Sequence, residues 1–138
     1  MKTKFSKALL IGFALGPVAA LANSVEVHED SHDTMLPTVV TYKNVHQDEG
    51  SGPVMSGIHT LKLDSKKPSK KLDFELDNHK YAGIQIISVN THLIHDADNQ
   101  FGKPGCSLAT DKDHQSGHIY LTIKDNAIEC ATKGGVHF

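Results

Sequence analysis

The chain contains no arginine and no tryptophan, and only two of its 138 residues are cysteine. Arginine supplies most bidentate contacts to phosphate and guanine, so a chain whose 14 basic residues are all lysine is a poor candidate for binding nucleic acid. The apolar run at residues 8–15 is far shorter than the roughly 20 residues of a membrane-spanning helix. No stable membrane insertion is therefore expected.

The first 22 residues have the three-part organisation of a secretory signal peptide. Lysines precede the apolar run, and Ala20-Leu21-Ala22 provides the small residues expected before a cut after Ala22. A cut after Ala20 is the alternative. We expect a mature chain that begins near Asn23 and is secreted or periplasmic. Since three of the lysines lie in the signal, it would carry 11 lysines against 16 acidic residues, a net charge of −5.

The two cysteines, Cys106 and Cys130, both lie in the expected mature chain. In an oxidising compartment they most simply form one disulfide. Chain-entropy models estimate that closing such a loop stabilises the folded state by about 3 kcal/mol. Two free thiols are the alternative. The bridge would tie the connection at 96–105 to the C-terminal hairpin and hold the polar segment between them.

Apolar and polar residues alternate along most of the mature chain, as they do in strands with one buried face. The predicted strands are 38–45, 54–63, 71–77, 81–93, 118–124 and 127–131, with a further short candidate at 136–138. The alternation slips between Ile86 and Ile87, which indicates a bulge or a strand buried on both faces. Parity predicts six core residues: Leu72, Phe74, Leu76, Ile119, Leu121 and Ile123.

These short strands, separated by turn residues and without a helical period, predict an all-β fold. The expected architecture is a small antiparallel β-sandwich, or a small barrel, of about 6–8 short strands with one disulfide. The predicted organisation is a signal peptide at 1–22, a flexible arm rich in acids and histidine at 23–35, and a single β-sandwich domain at 36–138.

All ten histidines follow the predicted cleavage site, and several form close pairs. Neutral imidazole binds zinc or copper, so these are the expected ions if a metal binds. The preferred pair is His114 and His118, beside two aspartates, whereas His28 and His32 are predicted to be solvated residues of the arm. The candidate metal ligands are His92, His95, Asp96, His114 and His118.

Calcium is a weaker alternative at residues 96–100, DADNQ. The EF-hand pattern fails there because Phe101 stands where glycine is required and no glutamate closes the loop. No pattern requires a cofactor. Catalysis is not expected either, since Ser116 has neither an assigned acid nor an oxyanion hole and no hydrolase motif is present.

The preferred function is therefore binding of a protein or glycan outside the cytoplasm, for example on a host or in the cell envelope. The candidate binding residues are His114, Ser116, His118 and Tyr120, in a loop near the disulfide. A histidine-rich protein that binds zinc or copper is the alternative. The lysines around Pro68 are interpreted as a solvated turn, with contact to anionic glycans or lipids as a less favoured reading.

The segment Ser116-Gly117-His118-Ile119-Tyr120 resembles the SGxxY loop of the small periplasmic C-type lysozyme inhibitors. The resemblance covers five residues. It implies a loop that inserts into the lysozyme cleft, and so a third candidate function, enzyme inhibition.

Overall fold

A computed structural model describes residues 22–31, 37–90, 92–93, 106–124 and 127–137. These residues form strands and no helix, so the predicted all-β class is confirmed. None of them forms a helix that could cross a membrane. Residues 1–21 of the predicted signal peptide lie outside the described residues. The nine strands are β1 (Asn23–Glu29), β2 (Thr38–Gln47), β3 (Val54–Leu63), β4 (Ser69–Phe74), β5 (Tyr81–Val89), β6 (His92–Leu93), β7 (Ser107–Thr110), β8 (Ser116–Lys124) and β9 (Ala127–Gly134).

The strands form the two sheets of a β-sandwich. The first sheet has the order β4-β1-β8-β9. The second has the order β3-β2-β5-β6, and β7 also pairs with β5 beside β6. Fully buried aliphatic side chains from both sheets, among them Val27, Val40, Ile84 and Leu121, pack into one core. Burial of this apolar area drives the two sheets together.

The first strand is the main departure from the sequence prediction. Residues 23–35 were expected to form a flexible arm, but Asn23–Glu29 form β1 in the interior of the first sheet. Its pairing with β8 is parallel, so the sandwich is not purely antiparallel. Val25 and Val27 are fully buried, because the alternation in VEVH sends both side chains to the core.

The predicted long strand at 81–93 is divided in two. Asn90 has a φ of 57°, which turns the chain after β5 so that β6 folds back and pairs with it. The pairing of β2 with β5 also shifts register at Ile86, where Tyr42 faces Ile86 and Thr41 faces Ser88. The slip in alternation between Ile86 and Ile87 is therefore a bulge.

The predicted disulfide joins Cys106 to Cys130, with Cα atoms 5.6 Å apart. Cys106 precedes β7 of the second sheet, and Cys130 lies in β9 of the first, so the bridge connects the two sheets. The start of β1 is held by Asn23, whose Nδ2 donates to Oγ1 of Thr110 and to the carbonyl of Asp111, both at 3.0 Å. A disulfide of this kind indicates an oxidising compartment.

The predicted core residues divide into two groups. Ile119 and Leu121 are fully buried, whereas Leu72, Phe74 and Ile123 are partly buried and pack against the core. Leu76 is also partly buried and lies beyond the end of β4 at Phe74. Strand parity identified the inward face correctly, but the edge position of β4 leaves its side chains partly open to solvent.

We expect Leu121→Ala to lower the free energy of unfolding by about 2–5 kcal/mol, because it would leave a cavity in the core. Phe74→Ala should cost less than the about 3–5 kcal/mol of a fully buried phenylalanine. The exposed Val54 is the control, for which replacement by alanine should change stability by no more than about 0.5 kcal/mol. Urea unfolding measures all three, and an equal loss for Leu121 and Val54 would contradict the assigned core.

Replacing both cysteines by alanine should lower the free energy of unfolding by about 3 kcal/mol, because the 24-residue separation of the pair restricts the unfolded chain. The measurement is urea unfolding of the oxidised protein and the double variant. A free-thiol assay of the native protein is the control. Two reactive thiols in that assay would contradict the bridge.

Candidate metal centre

The outer face of the first sheet brings together polar side chains from β1 and β8. In the parallel register of these strands, Glu26 lies beside His118 and His28 lies beside Tyr120. Because Val25 and Val27 occupy the core, the alternating Glu26 and His28 side chains lie on the opposite face. Ile119 and Leu121 direct His118 and Tyr120 to the same face in the same way.

Three potential metal-ligating atoms meet at this position. Nε2 of His28 is 3.0 Å from Nδ1 of His118. Oε1 of Glu26 is 3.7 Å from Nε2 of His28 and 3.6 Å from Nδ1 of His118. Within the described parts of the chain, these are the only three histidine, cysteine or acidic residues whose ligand atoms cluster closely enough to hold a metal ion.

The triangle formed by these three atoms suits a tetrahedral ion. Zinc binds imidazole nitrogen and carboxylate oxygen at about 2.0–2.1 Å, which separates neighbouring ligand atoms in a regular tetrahedron by about 3.4 Å. The measured separations of 3.0, 3.6 and 3.7 Å lie on both sides of that value. A square-planar copper site would instead need separations of about 2.8 Å between adjacent ligand atoms and about 4 Å across the ion. The three separations are therefore compatible with a small tetrahedral ion.

Neighbouring side chains orient two of the three ligands. Oγ of Ser69 donates a hydrogen bond of 3.2 Å to Oε2 of Glu26, which leaves Oε1 for the shared position. The Tyr120 ring stacks on the His28 ring, with centroids 4.6 Å apart and planes inclined by 16°. Contacts of this kind restrict ligand rotation and commonly raise the affinity of a site.

The cluster is open to solvent on one side. The side chains of His28, Glu26 and His118 are 24%, 33% and 37% exposed. Three protein ligands on an open sheet face leave the fourth position of a tetrahedral ion to water or to an atom of a second molecule. A bound ion on this face would therefore remain accessible to solvent.

Of the predicted metal ligands, only His118 belongs to this cluster. His114 lies in the turn before β8, where its Nδ1 contacts Oδ1 of Asp111 at 3.0 Å. The expected His114–His118 pair is therefore not formed, because the two rings have separate partners. The backbone of His92 lies in β6, and His95 and Asp96 fall outside the described residues, as does the calcium candidate at 96–100.

The predicted binding loop is also revised. Ser116 to Tyr120 form the first half of β8, between β1 and β9, and not a loop that could enter a cleft. Gly117 is buried at the contact between the sheets, where a Cβ atom would lie 2.5 Å from Cδ2 of Leu108. This packing explains why residue 117 is glycine. The segment does not form the loop that the resemblance to lysozyme inhibitors implied.

Sequence reasoning missed Glu26 and His28. The alternating segment Val25-Glu26-Val27-His28 carried a strand signal, but the acids and histidines around it favoured an arm. No local pattern connects these residues to His118, since the contact depends on the pairing of two strands about ninety positions apart.

Asp111 stabilises the turn that precedes β8. Its Oδ1 accepts hydrogen bonds from the backbone N–H groups of Asp113 at 2.9 Å and His114 at 2.6 Å. Partial burial raises the pKa of the Asp111 carboxyl, but these hydrogen bonds and the His114 ring outweigh that effect and hold the pKa below its ordinary value. The ionised carboxylate therefore stabilises the folded turn.

Asp111→Ala should destabilise the protein at neutral pH and progressively less in acid. Because the folded pKa is lowered, the contribution of Asp111 is fully present above the unfolded value of about 3.9 and is lost as pH falls through the lower folded value. Unfolding free energies at pH 7, 4 and 2.5 measure this, with the exposed Asp113→Ala as the control. A pH-independent difference would contradict the role of the charge.

No protein-family model and no curated protein sequence matches this chain. The chain is a disulfide-bonded β-sandwich, and its outer face carries a Glu26–His28–His118 cluster that could hold a metal ion.

Proposed function

We propose that this protein binds zinc at Glu26, His28 and His118, and that it does so outside the cytoplasm. The observation that carries the proposal is the convergence of two imidazole nitrogens and one carboxylate oxygen within 4.8 Å of one another. This donor set suits a borderline ion such as zinc, whereas calcium requires six to eight oxygen ligands. The Cys106–Cys130 disulfide and the predicted signal peptide support export.

The proposed function is binding and not catalysis. On the open sheet face, a bound ion would remain in contact with water and would carry at least one exchangeable ligand. A protein or glycan that supplies this ligand is the contact partner we propose for the exported protein. Ser116, His118 and Tyr120 lie on β8 and not in a loop. The proposed contact surface is therefore the outer face of β1 and β8, which includes Tyr120.

The proposed ligand set predicts which histidine substitutions weaken zinc binding. His28→Ala and His118→Ala should each weaken zinc binding by at least tenfold, since each removes one of three protein ligands. His114→Ala is the matched control and should leave zinc binding unchanged, because that ring contacts Asp111 in a separate turn. Calorimetric titration of the disulfide-bonded protein with zinc, and in parallel with copper, measures these affinities, while thermal unfolding checks that each variant folds.

Zinc affinity should also fall as the solution is acidified, because protons compete with the metal ion for its ligands. If copper binds more tightly than zinc, with the same dependence on His28 and His118, the proposed site is correct and its ion is copper. Zinc binding that survives both His28→Ala and His118→Ala, or depends on His114, would overturn the proposal. Lysozyme inhibition is not proposed, because Ser116 to Tyr120 lie in β8 and not in a loop.

A further inference from the structure

A second concave site lies where the edge strands of the two sheets, β3 and β4, approach each other. The cavity is a half-open surface depression with a volume of about 420 Å³. It contains none of the three residues of the metal cluster. Its lining residues are Val39, Thr60, Leu61, Lys62, Lys67, Ser69 and Lys70.

The lining is positively charged and has no acidic side chain. Lys62 comes from β3, Lys67 from the following turn and Lys70 from β4, so three separate pieces of chain contribute an ammonium group. The expected mature protein carries a net charge of −5, so this group of lysines is opposite in sign to the overall charge. Three like charges around one cavity favour an anion there, since each cation raises the local potential.

Two carboxylates lie beside the lining residues. Oε2 of Glu26 accepts a hydrogen bond from Ser69 at 3.2 Å, and Asp64 is held by the turn. Oδ1 of Asp64 accepts hydrogen bonds from the backbone N–H of Lys66 at 2.9 Å and of Lys67 at 2.8 Å. Hydrogen bonds from the backbone of Lys67 and then of Lys66 hold the pKa of Asp64 below its ordinary value. The charges of Asp64 and Glu26 offset part of the local cationic charge, and the three lining lysines leave an excess of positive charge.

Main-chain hydrogen bonds fix the backbone that carries the lysines. The Asp64 N–H donates to the carbonyl of Lys67 at 3.0 Å, which closes the turn. The Glu29 N–H donates to the carbonyl of Pro68 at 2.8 Å, which ties the next residue to β1. The cavity is therefore formed by ordered strands and a closed turn, and only the lysine side chains need to adjust when a ligand binds.

The remaining lining residues indicate a ligand with a carbon framework. Val39 and Leu61 offer apolar surface, and Thr60 offers a hydroxyl group. The Ser69 hydroxyl already donates to Glu26, so its oxygen is available as an acceptor for a ligand hydroxyl. Lysine ammonium groups act as point charges, and lysine is a common ligand of phosphate groups in proteins.

We propose that this cavity binds a phosphorylated or sulfated small molecule of about the size of one sugar, with Lys62, Lys67 and Lys70 contacting its anionic group. The site is separate from the proposed zinc centre except at Ser69, which lines the cavity and donates to Glu26.

The proposal is tested by calorimetric titration of the EDTA-treated, disulfide-bonded protein with glucose 6-phosphate, glucose 6-sulfate and glucose. The two anionic sugars should bind saturably, and glucose at least tenfold more weakly. Binding of only one anionic sugar would support the site and identify its preferred anion.

Lys62→Gln, Lys67→Gln and Lys70→Gln combined should weaken binding at least tenfold. The control combines Lys43→Gln, Lys112→Gln and Lys133→Gln, which remove the same charge outside the cavity and should change affinity by less than threefold.

A second variant separates cavity shape from charge. Val39→Trp keeps every lysine but fills the cavity from the partly exposed face of β2, and it should weaken binding at least tenfold. Thermal unfolding confirms that each variant is folded. The proposal is overturned by equal weakening in both lysine triple variants, by unchanged affinity in folded Val39→Trp, or by no saturable binding of either anionic sugar. Because EDTA removes metal, none of these outcomes depends on the zinc proposal.

Discussion

The parallel pairing of β1 with β8 is the constraint on which the rest of the molecule depends. Val25 and Val27 must be buried to complete the core, and a slip of one residue would move both to the outer face. The register that buries them also directs Glu26 and His28 outward beside His118 and Tyr120. The apolar residues of β1 thus determine the position of its polar ones, and the cluster results from core packing.

Cross-links between distant segments maintain that arrangement. The Cys106–Cys130 bridge connects the two sheets, and the Asn23 side chain attaches the start of β1 to Thr110 at the end of β7. Thr110 in turn donates to the carbonyl of Ala82 at 2.9 Å, so this buried polar network reaches β5. Such hydrogen-bonded contacts satisfy buried polar groups and position the edges of the sheets relative to each other.

The two proposed sites share one residue but use different chemistry. Ser69 orients Glu26 through its hydroxyl group and also lines the lysine cavity. At the first site, imidazole nitrogens and a carboxylate oxygen offer electron pairs to a cation, whereas at the second, ammonium groups attract an anion. Ser69 pairs with His28 where β4 meets β1, so the two sites are neighbours. The metal cluster lies on the outer face of the first sheet, and the lysine cavity lies at the edge where β3 and β4 approach each other.

The sequence by itself determined the all-β class, most of the strands and the disulfide, because these depend on local alternation and on a single pair of cysteines. The slip at Ile86 located an irregularity in β5, and the strand pairing shows that it is a bulge. It assigned Asn23–Glu29 to an arm, since seven residues with several polar side chains are a weak strand signal until a neighbouring strand pairs with them. Only the tertiary structure decided that Glu26 and His28 meet His118 and that His114 does not. That choice depends on which strands pair and in which register, and these are set by burial across the whole core and not by spacing along the chain.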